Sequence, residues 1–176
     1  MQDVFEAIRD RRSIRKFSGK PVEQDKIEEL INLALTSHSA RNIQPRHFTV
    51  VTKTDILNEL DKDTRAVMQE QGTPLPAGQH VFYCAPSAIV VSIDKNHPWA
   101  EVDCGIAVAT ICLAAEGLGL GSCVIGMAQR AFKADDAKYR NLLQLPEGYT
   151  PAICVALGYA DEQPAATERE RKVNIV

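Results

Sequence analysis

Arg11-Arg12-Ser13-Ile14-Arg15, followed at once by Lys16, sets three guanidiniums, an ammonium and a hydroxyl side by side near the start of the chain. Arginine presents a planar fork of donors that matches phosphate oxygens two at a time, and the serine hydroxyl adds another donor. Packed this closely, the cations repel one another unless an anion sits among them. Three readings are open for the stretch alone: a solvated basic end of a helix, favoured by its dipole; a nucleic-acid patch; or a site for one small anion.

The rest of the composition narrows these. The chain has 176 residues, 45% hydrophobic and 24% charged, with a formal net charge of -3. That is an ordinary globular composition, enough for one domain over 1–176 that buries about 70% of its unfolded surface. A mildly acidic chain argues against a general nucleic-acid binder, so the basic cluster should serve one small anion. Cys84, Cys104, Cys112, Cys123 and Cys154 form no C-x-x-C pair and sit in apolar surroundings. They read as core thiols in a reducing cytoplasm. The first ten residues carry Asp3 and Glu6 and no apolar signal core. The apolar stretch 104–128 is rich in Gly and Ala and reads as a buried helix, a turn and a strand; no membrane partner is expected.

Outward from the basic stretch, Asp3 and Glu6 frame a helix with Val4, Phe5, Ala7 and Ile8 on an apolar face, running to about Arg11. After the Ser18-Gly19-Lys20-Pro21 turn, Ile27, Leu30, Ile31, Ala34 and Leu35 fall at helical spacing. The polar stretch 36–46 ends any helix at Pro45. A short strand over 48–51, a loose helix over 55–71, a loop over 72–78 and a β-branched strand over 87–93 follow. Pro98 is read as opening a long helix to Gly117, with Val102, Ile106, Thr110 and Leu113 on one side. A strand over 123–125, a helix over 134–143 and a strand over 152–157 complete the body, and the tail 167–176 is charged, then briefly apolar.

Several familiar chemistries find no support. Gly117-Leu118-Gly119-Leu120-Gly121 has G-x-G-x-G spacing and follows a helix, unlike a dinucleotide fingerprint. The four histidines are scattered with no i, i+4 pair, so no metal is expected. No serine has the G-x-S-x-G context of a hydrolase.

Taken in series, R-R-S-I-R-K-F from Arg11, S-A-R-N-I-Q-P-R-H-F from Ser39 and G-L-G-L-G-S-C-V-I-G ending at Gly126 resemble the FMN-dependent nitroreductase family in its short form. The resemblance implies an α+β fold, a mixed sheet flanked by helices, in a homodimer with exchanged terminal segments and one FMN per subunit interface. By position, Arg11, Ser13 and Arg15 would hold the FMN phosphate and ribityl chain, with Arg12 nearby. Ser39, Ala40, Asn42 and Gln44 would reach the flavin from the other subunit. Cys123, Val124, Ile125 and Gly126 would line the ring, and Arg169 and Arg171 would close on the phosphate.

The implied activity is hydride transfer from NADH or NADPH to FMN, then reduction of a nitroaromatic, quinone or related small acceptor in a ping-pong sequence. The flavin carries the chemistry, so no catalytic side chain is expected. The alternative is a flavin-binding storage or sensing module with little turnover. The chain departs from the family at Arg46, where many relatives carry Trp, at Arg41, where a small residue is usual, and at Gly126, where many carry Glu. Arg41 and Arg46 are expected either to face the acceptor, favouring an anionic or carbonyl-bearing one, or to stand exposed to solvent.

Overall fold

The spacing of Ile27, Leu30 and Ala34 puts three side chains on one face of α2, Gln24–Leu35, and all three are buried. They pack on α4, Ala100–Gly117. Leu35, expected in the same stripe, is exposed in the last turn. The computed structural model describes residues 3–176. Met1 and Gln2 lie outside the described residues, and with them the start of the segment read for a signal core.

Four strands form one sheet: β1, Arg46–Val51; β2, Ser87–Asp94; β3, Gly121–Ile125; and β4, Tyr149–Gly158. Their order is β1-β2-β4-β3, with every ladder antiparallel. The parallel element of the expected mixed sheet is an isolated bridge, Ser13 to Ser122, on the outer edge of β3.

The central strands are apolar without alternation because both faces are covered. Ile89, Val91, Val155 and Leu157 point toward α2 and α4. Ala88, Val90, Cys154 and Ala156 point the other way. There they meet α3, Thr54–Glu70, through Leu57 and Leu60, and the short helices α5, Gln129–Ala134, and α6, Asp136–Leu142, through Phe132 and Tyr139.

Three expectations change here. The helix expected over 134–143 is α6, which Asp135 starts by leaving the helical conformation and accepting the Lys138 N–H at 2.9 Å on its carboxylate; α5, Gln129–Ala134, is a further helix in a stretch not expected to be helical. Cys84 is exposed, while the other four cysteines are buried. The third concerns α1, Val4–Asp10, where Asp3 caps by accepting the Phe5 N–H at 2.8 Å. Only Ala7 of its apolar face is buried; Val4, Phe5 and Ile8 stand 60%, 64% and 55% exposed.

α4 is largely apolar, and Cys104, Ile111 and Ala115 meet the sheet and α2. Its opposite stripe, Val102, Ile106 and Leu113, is left partly or wholly uncovered within one chain. No helix among the described residues is long and apolar enough to cross a membrane.

Candidate active site

Past the end of α1 the chain runs extended along the free edge of β3. The Ile14 N–H donates to the Ser122 carbonyl at 2.9 Å, and Ser13 bridges Ser122 in parallel. Gly121 makes this approach possible. A Cβ there would stand 2.8 Å from Ile14 Cγ1, so the Ile14 side chain occupies the room a side chain at 121 would need.

Extended backbone sends alternate residues to opposite sides. Ile14 and Arg12 turn toward a groove that includes Gly121, Glu116 and Glu162. Arg11, Ser13 and Arg15 therefore share the other side. Arg12, expected beside the phosphate, instead closes α1: its Nη1 donates to the carbonyls of Arg9 at 2.6 Å and Arg11 at 3.0 Å. The far end of the strip is pinned by the Phe17–Ala160 bridge, the Lys16–Asp161 ion pair at 2.7 Å, and Glu162, which accepts the N–H groups of Arg15 and Lys16.

No ion pair among the described residues occupies the guanidiniums of Arg11 or Arg15. Their charges are felt on β3 and α4. Burial pushes the Cys112 and Cys123 thiols up, and Arg11 works against the shift at both, joined by Arg15 at Cys123. Burial and neighbouring Asp10 raise Glu116, opposed by Arg11 and Arg12. Two uncommitted forks with a hydroxyl between them suit a phosphate better than a carboxylate side chain.

Along β3, Ser122, Cys123 and Ile125 are buried, while Val124 is 42% exposed. Cys123 points into the core on the α3 and α5 side, so its backbone alone is available at the surface. Val124 lies opposite Val155 in the ladder and faces the α4 side. A Cβ on Gly126 would meet nothing within 4 Å. The strip and the strand thus join a cationic end to an apolar end.

The stretch 39–44 forms a tight turn at the first turn of α4. Arg41, Asn42 and Gln44 have φ of 52°, 57° and 56°, the left-handed region that non-glycine residues rarely adopt. Both Asp103 carboxylate oxygens accept the Ala40 N–H, at 3.1 and 3.2 Å, and Ser39 Oγ accepts the Gln44 N–H at 3.0 Å. Arg41 is exposed. Arg46 differs from the expectation that it faces an acceptor: it is 8% exposed, and its Nη2 donates to the carbonyls of Ser37 at 2.6 Å and Leu35 at 3.3 Å.

No hydrogen bond or ion pair among the described residues joins this turn to the Arg11 strip. Arg169 and Arg171 lie exposed in a tail without helix or strand, and no hydrogen bond or ion pair among the described residues joins them to the strip. Within one chain the structure brings together Arg11, Ser13 and Arg15 with β3, and leaves the other two expected groups elsewhere.

Residues 8–159 match the Nitroreductase family. The chain belongs to the nitroreductase family.

A relative from Methanothermobacter thermautotrophicus, provisionally named an NADH dehydrogenase/NAD(P)H nitroreductase, is 32% identical over 171 residues, covering 94% of this chain and 82% of its own. An FMN-dependent nitroreductase from Clostridium difficile R20291 superposes with a TM-score of 0.90 at 30% identity, over 99% of both chains. A nitroreductase from Desulfitobacterium hafniense DCB-2, solved with bound FMN, does so with a TM-score of 0.88 at 28% identity, over 100% of this chain and 99% of that one.

A cavity beside β4 carries no local sequence pattern. Because β3 ends at Ile125, opposite Cys154, the first residues of β4 run on with an open edge. A cavity of about 580 Å³ lies there, lined by Glu101 and Gly105 of α4, Lys133 of α5, Lys95, and Thr150 and Ile153 of β4. It gathers residues from four separate stretches, so no local pattern announces it. α5, which lines it, begins three residues after Gly126.

Proposed function

We propose that this nitroreductase-family chain is an FMN-dependent oxidoreductase that uses NADH or NADPH to reduce nitroaromatic, quinone or related small acceptors. The observation that carries the reading is the pair of uncommitted guanidiniums, Arg11 and Arg15, flanking Ser13 and leading along β3 to exposed Val124 and open Gly126. That donor set fits a phosphate at one end and a flat apolar ring at the other. When bound, FMN supplies a two-electron carrier between the nicotinamide and the acceptor.

The chain's own residues bind, orient and cover. Arg11, Ser13 and Arg15 hold the phosphate end. The backbone from Cys123 to Gly126, with the Val124 side chain, offers the surface for the ring, and the backbone N–H groups there give fixed donors near the reacting edge. Ser39, Ala40, Asn42 and Gln44, and Arg169 and Arg171 of the tail, make no hydrogen bond or ion pair with the same chain's strip among the described residues, and we assign them to the site of a second copy. Exposed Arg41 remains the residue for acceptor contact. Donor and acceptor take turns over one pocket, which gives ping-pong kinetics with parallel double-reciprocal lines.

A homodimer is the assembly that supplies those residues. The uncovered faces of α1 and α4 form the apolar surface a second copy would bury. Gly105 lies within that exposed stretch of α4, and a Cβ there meets nothing within 4 Å in one chain. Gly105→Leu should therefore leave the isolated fold intact and raise the dimer dissociation constant at least about tenfold by overpacking. Sedimentation at micromolar concentration reads it; an unchanged dimer would put the interface elsewhere.

The activity is tested by mixing the FMN-loaded protein with NADH or NADPH in a stopped-flow instrument. Bleaching of the flavin bands, reversed by a quinone or nitroaromatic as fast as turnover, supports the enzyme. A flavin that stays oxidised under both nicotinamides would leave a storage or sensing module.

A further inference from the structure

The 39–44 turn holds three left-handed non-glycine residues, so something outside it must keep it in that shape. Two buried charges do so at different points of its backbone. Asp103, 2% exposed in the first turn of α4, takes the Ala40 N–H with both oxygens. Arg46, 8% exposed at the start of β1, donates to the Ser37 and Leu35 carbonyls at the stem. The two side chains form no ion pair with each other. Each instead bonds the loop backbone, the anion at the Ala40 N–H and the cation at two stem carbonyls.

Arg46 Nε and Nη1 and the Ser37 hydroxyl are buried without hydrogen-bond partners. A guanidinium is an expensive group to place there, and burial indeed lowers its pKa, with Asp103 opposing the shift. An apolar side chain would fill that volume at less cost, so the donors that are used, those to the loop stem, mark what the charge is for. Ser39 Oγ then closes the turn onto the Gln44 N–H, and the Gln44 amide donates to Asn42 Oδ1 at 3.2 Å. Neither Asp103 nor Arg46 need approach a ligand for the polar edge 39–44 to be set.

We propose that Asp103 and Arg46 are positioning residues, which fix the Ser39, Asn42 and Gln44 edge for contact with the flavin of a second copy. The inference rests on the FMN reading above and adds to it two residues whose effect is transmitted through the turn.

The test uses full-length protein, reconstituted with FMN, in four variants: Asp103→Ala, Asp103→Asn, Arg46→Met and Arg46→Lys. FMN affinity is followed by fluorescence quenching, the flavin environment by visible circular dichroism, and turnover as kcat and KM separately. Asp103→Ala and Arg46→Met should each raise the FMN dissociation constant about tenfold, alter the visible dichroism and lower kcat. Asp103→Asn keeps an acceptor oxygen and Arg46→Lys keeps a cation, so both should recover part of the affinity and the spectrum. A melting temperature that falls while FMN affinity, dichroism and kcat stay at wild-type values would overturn the proposal. If Asp103→Ala does not fold, Asp103→Asn is read in its place, and wild-type values for it and Arg46→Lys together with unchanged Arg46→Met would also overturn it. Arg11→Ala serves as the reference: FMN loss there but not in these variants refutes the positioning role alone, and no loss in any of them refutes the cofactor reading with it.

Discussion

Arg11→Ala is expected to weaken FMN binding about ten- to a hundredfold. A hydrogen bond to a charged group contributes about 1.5–3 kcal/mol, and each 1.4 kcal/mol is about a factor of ten in affinity. Arg11 can deliver that contribution because no ion pair among the described residues competes for its fork. Arg15 stands on the same side of the strip, and among the described residues its guanidinium makes only a long bond, to the Ser13 carbonyl at 3.5 Å. Arg15→Ala should therefore behave like Arg11→Ala. Arg12→Ala should not, since that guanidinium holds the end of α1; its loss should lower stability with little change in affinity. Riboflavin, which lacks the phosphate, provides the control: its binding should be nearly the same in wild type and Arg11→Ala. Titration of apoprotein by fluorescence quenching measures all of these. Equal FMN affinity in Arg11→Ala and wild type would remove the phosphate from this end of β3.

The contrast between Arg11 and Arg12 shows where sequence reading stops. The chemistry of the cluster is legible in R-R-S-I-R, because residue type alone sets donor geometry. Which arginine faces which way depends on Ile14 settling over Gly121, a contact between residues far apart in the chain. Elements with strong local periodicity, such as α2 and the central strand β2, are legible for the opposite reason: their pattern is written within a dozen residues. α5 is not legible, because its six residues are too few to repeat a helical pattern before Asp135 caps Lys138 and starts α6.

Arg46 makes the same point at the site. In a polar stretch ending at Pro45 it reads as an exposed cation available to an acceptor. The structure buries it because a turn with three left-handed residues leaves carbonyls at its stem that need a donor. Arg169 and Arg171 mark another limit. Their sequence says only that they are charged, and no hydrogen bond or ion pair among the described residues joins them to the strip, so the role proposed for them requires a second copy.

Gly121→Val should damage fold and site together. The new Cβ would stand 2.8 Å from Ile14 Cγ1, 3.1 Å from its Cβ and 3.2 Å from its Cγ2. A β-branched side chain has little freedom to move aside, so the strip itself must lift from β3. Overpacking of this kind costs about 1–3 kcal/mol, and lifting the strip also breaks the Ile14 N–H bond to Ser122 and moves Arg11, Ser13 and Arg15 off the strand. Stability should fall by about 2–3 kcal/mol in a denaturant titration, and FMN affinity should fall at least about tenfold although no arginine has changed. A double-mutant cycle isolates the cause. Ile14→Ala alone empties a buried site and should cost about 2–4 kcal/mol. Gly121→Ala alone overpacks it. Combined, the alanine at 121 occupies part of the space that Ile14 vacates, so the pair should be more stable than the sum of the single losses by about 1 kcal/mol or more. Strictly additive losses, with FMN affinity untouched by Gly121→Val, would mean that something other than the Ile14 contact seats the strip on β3.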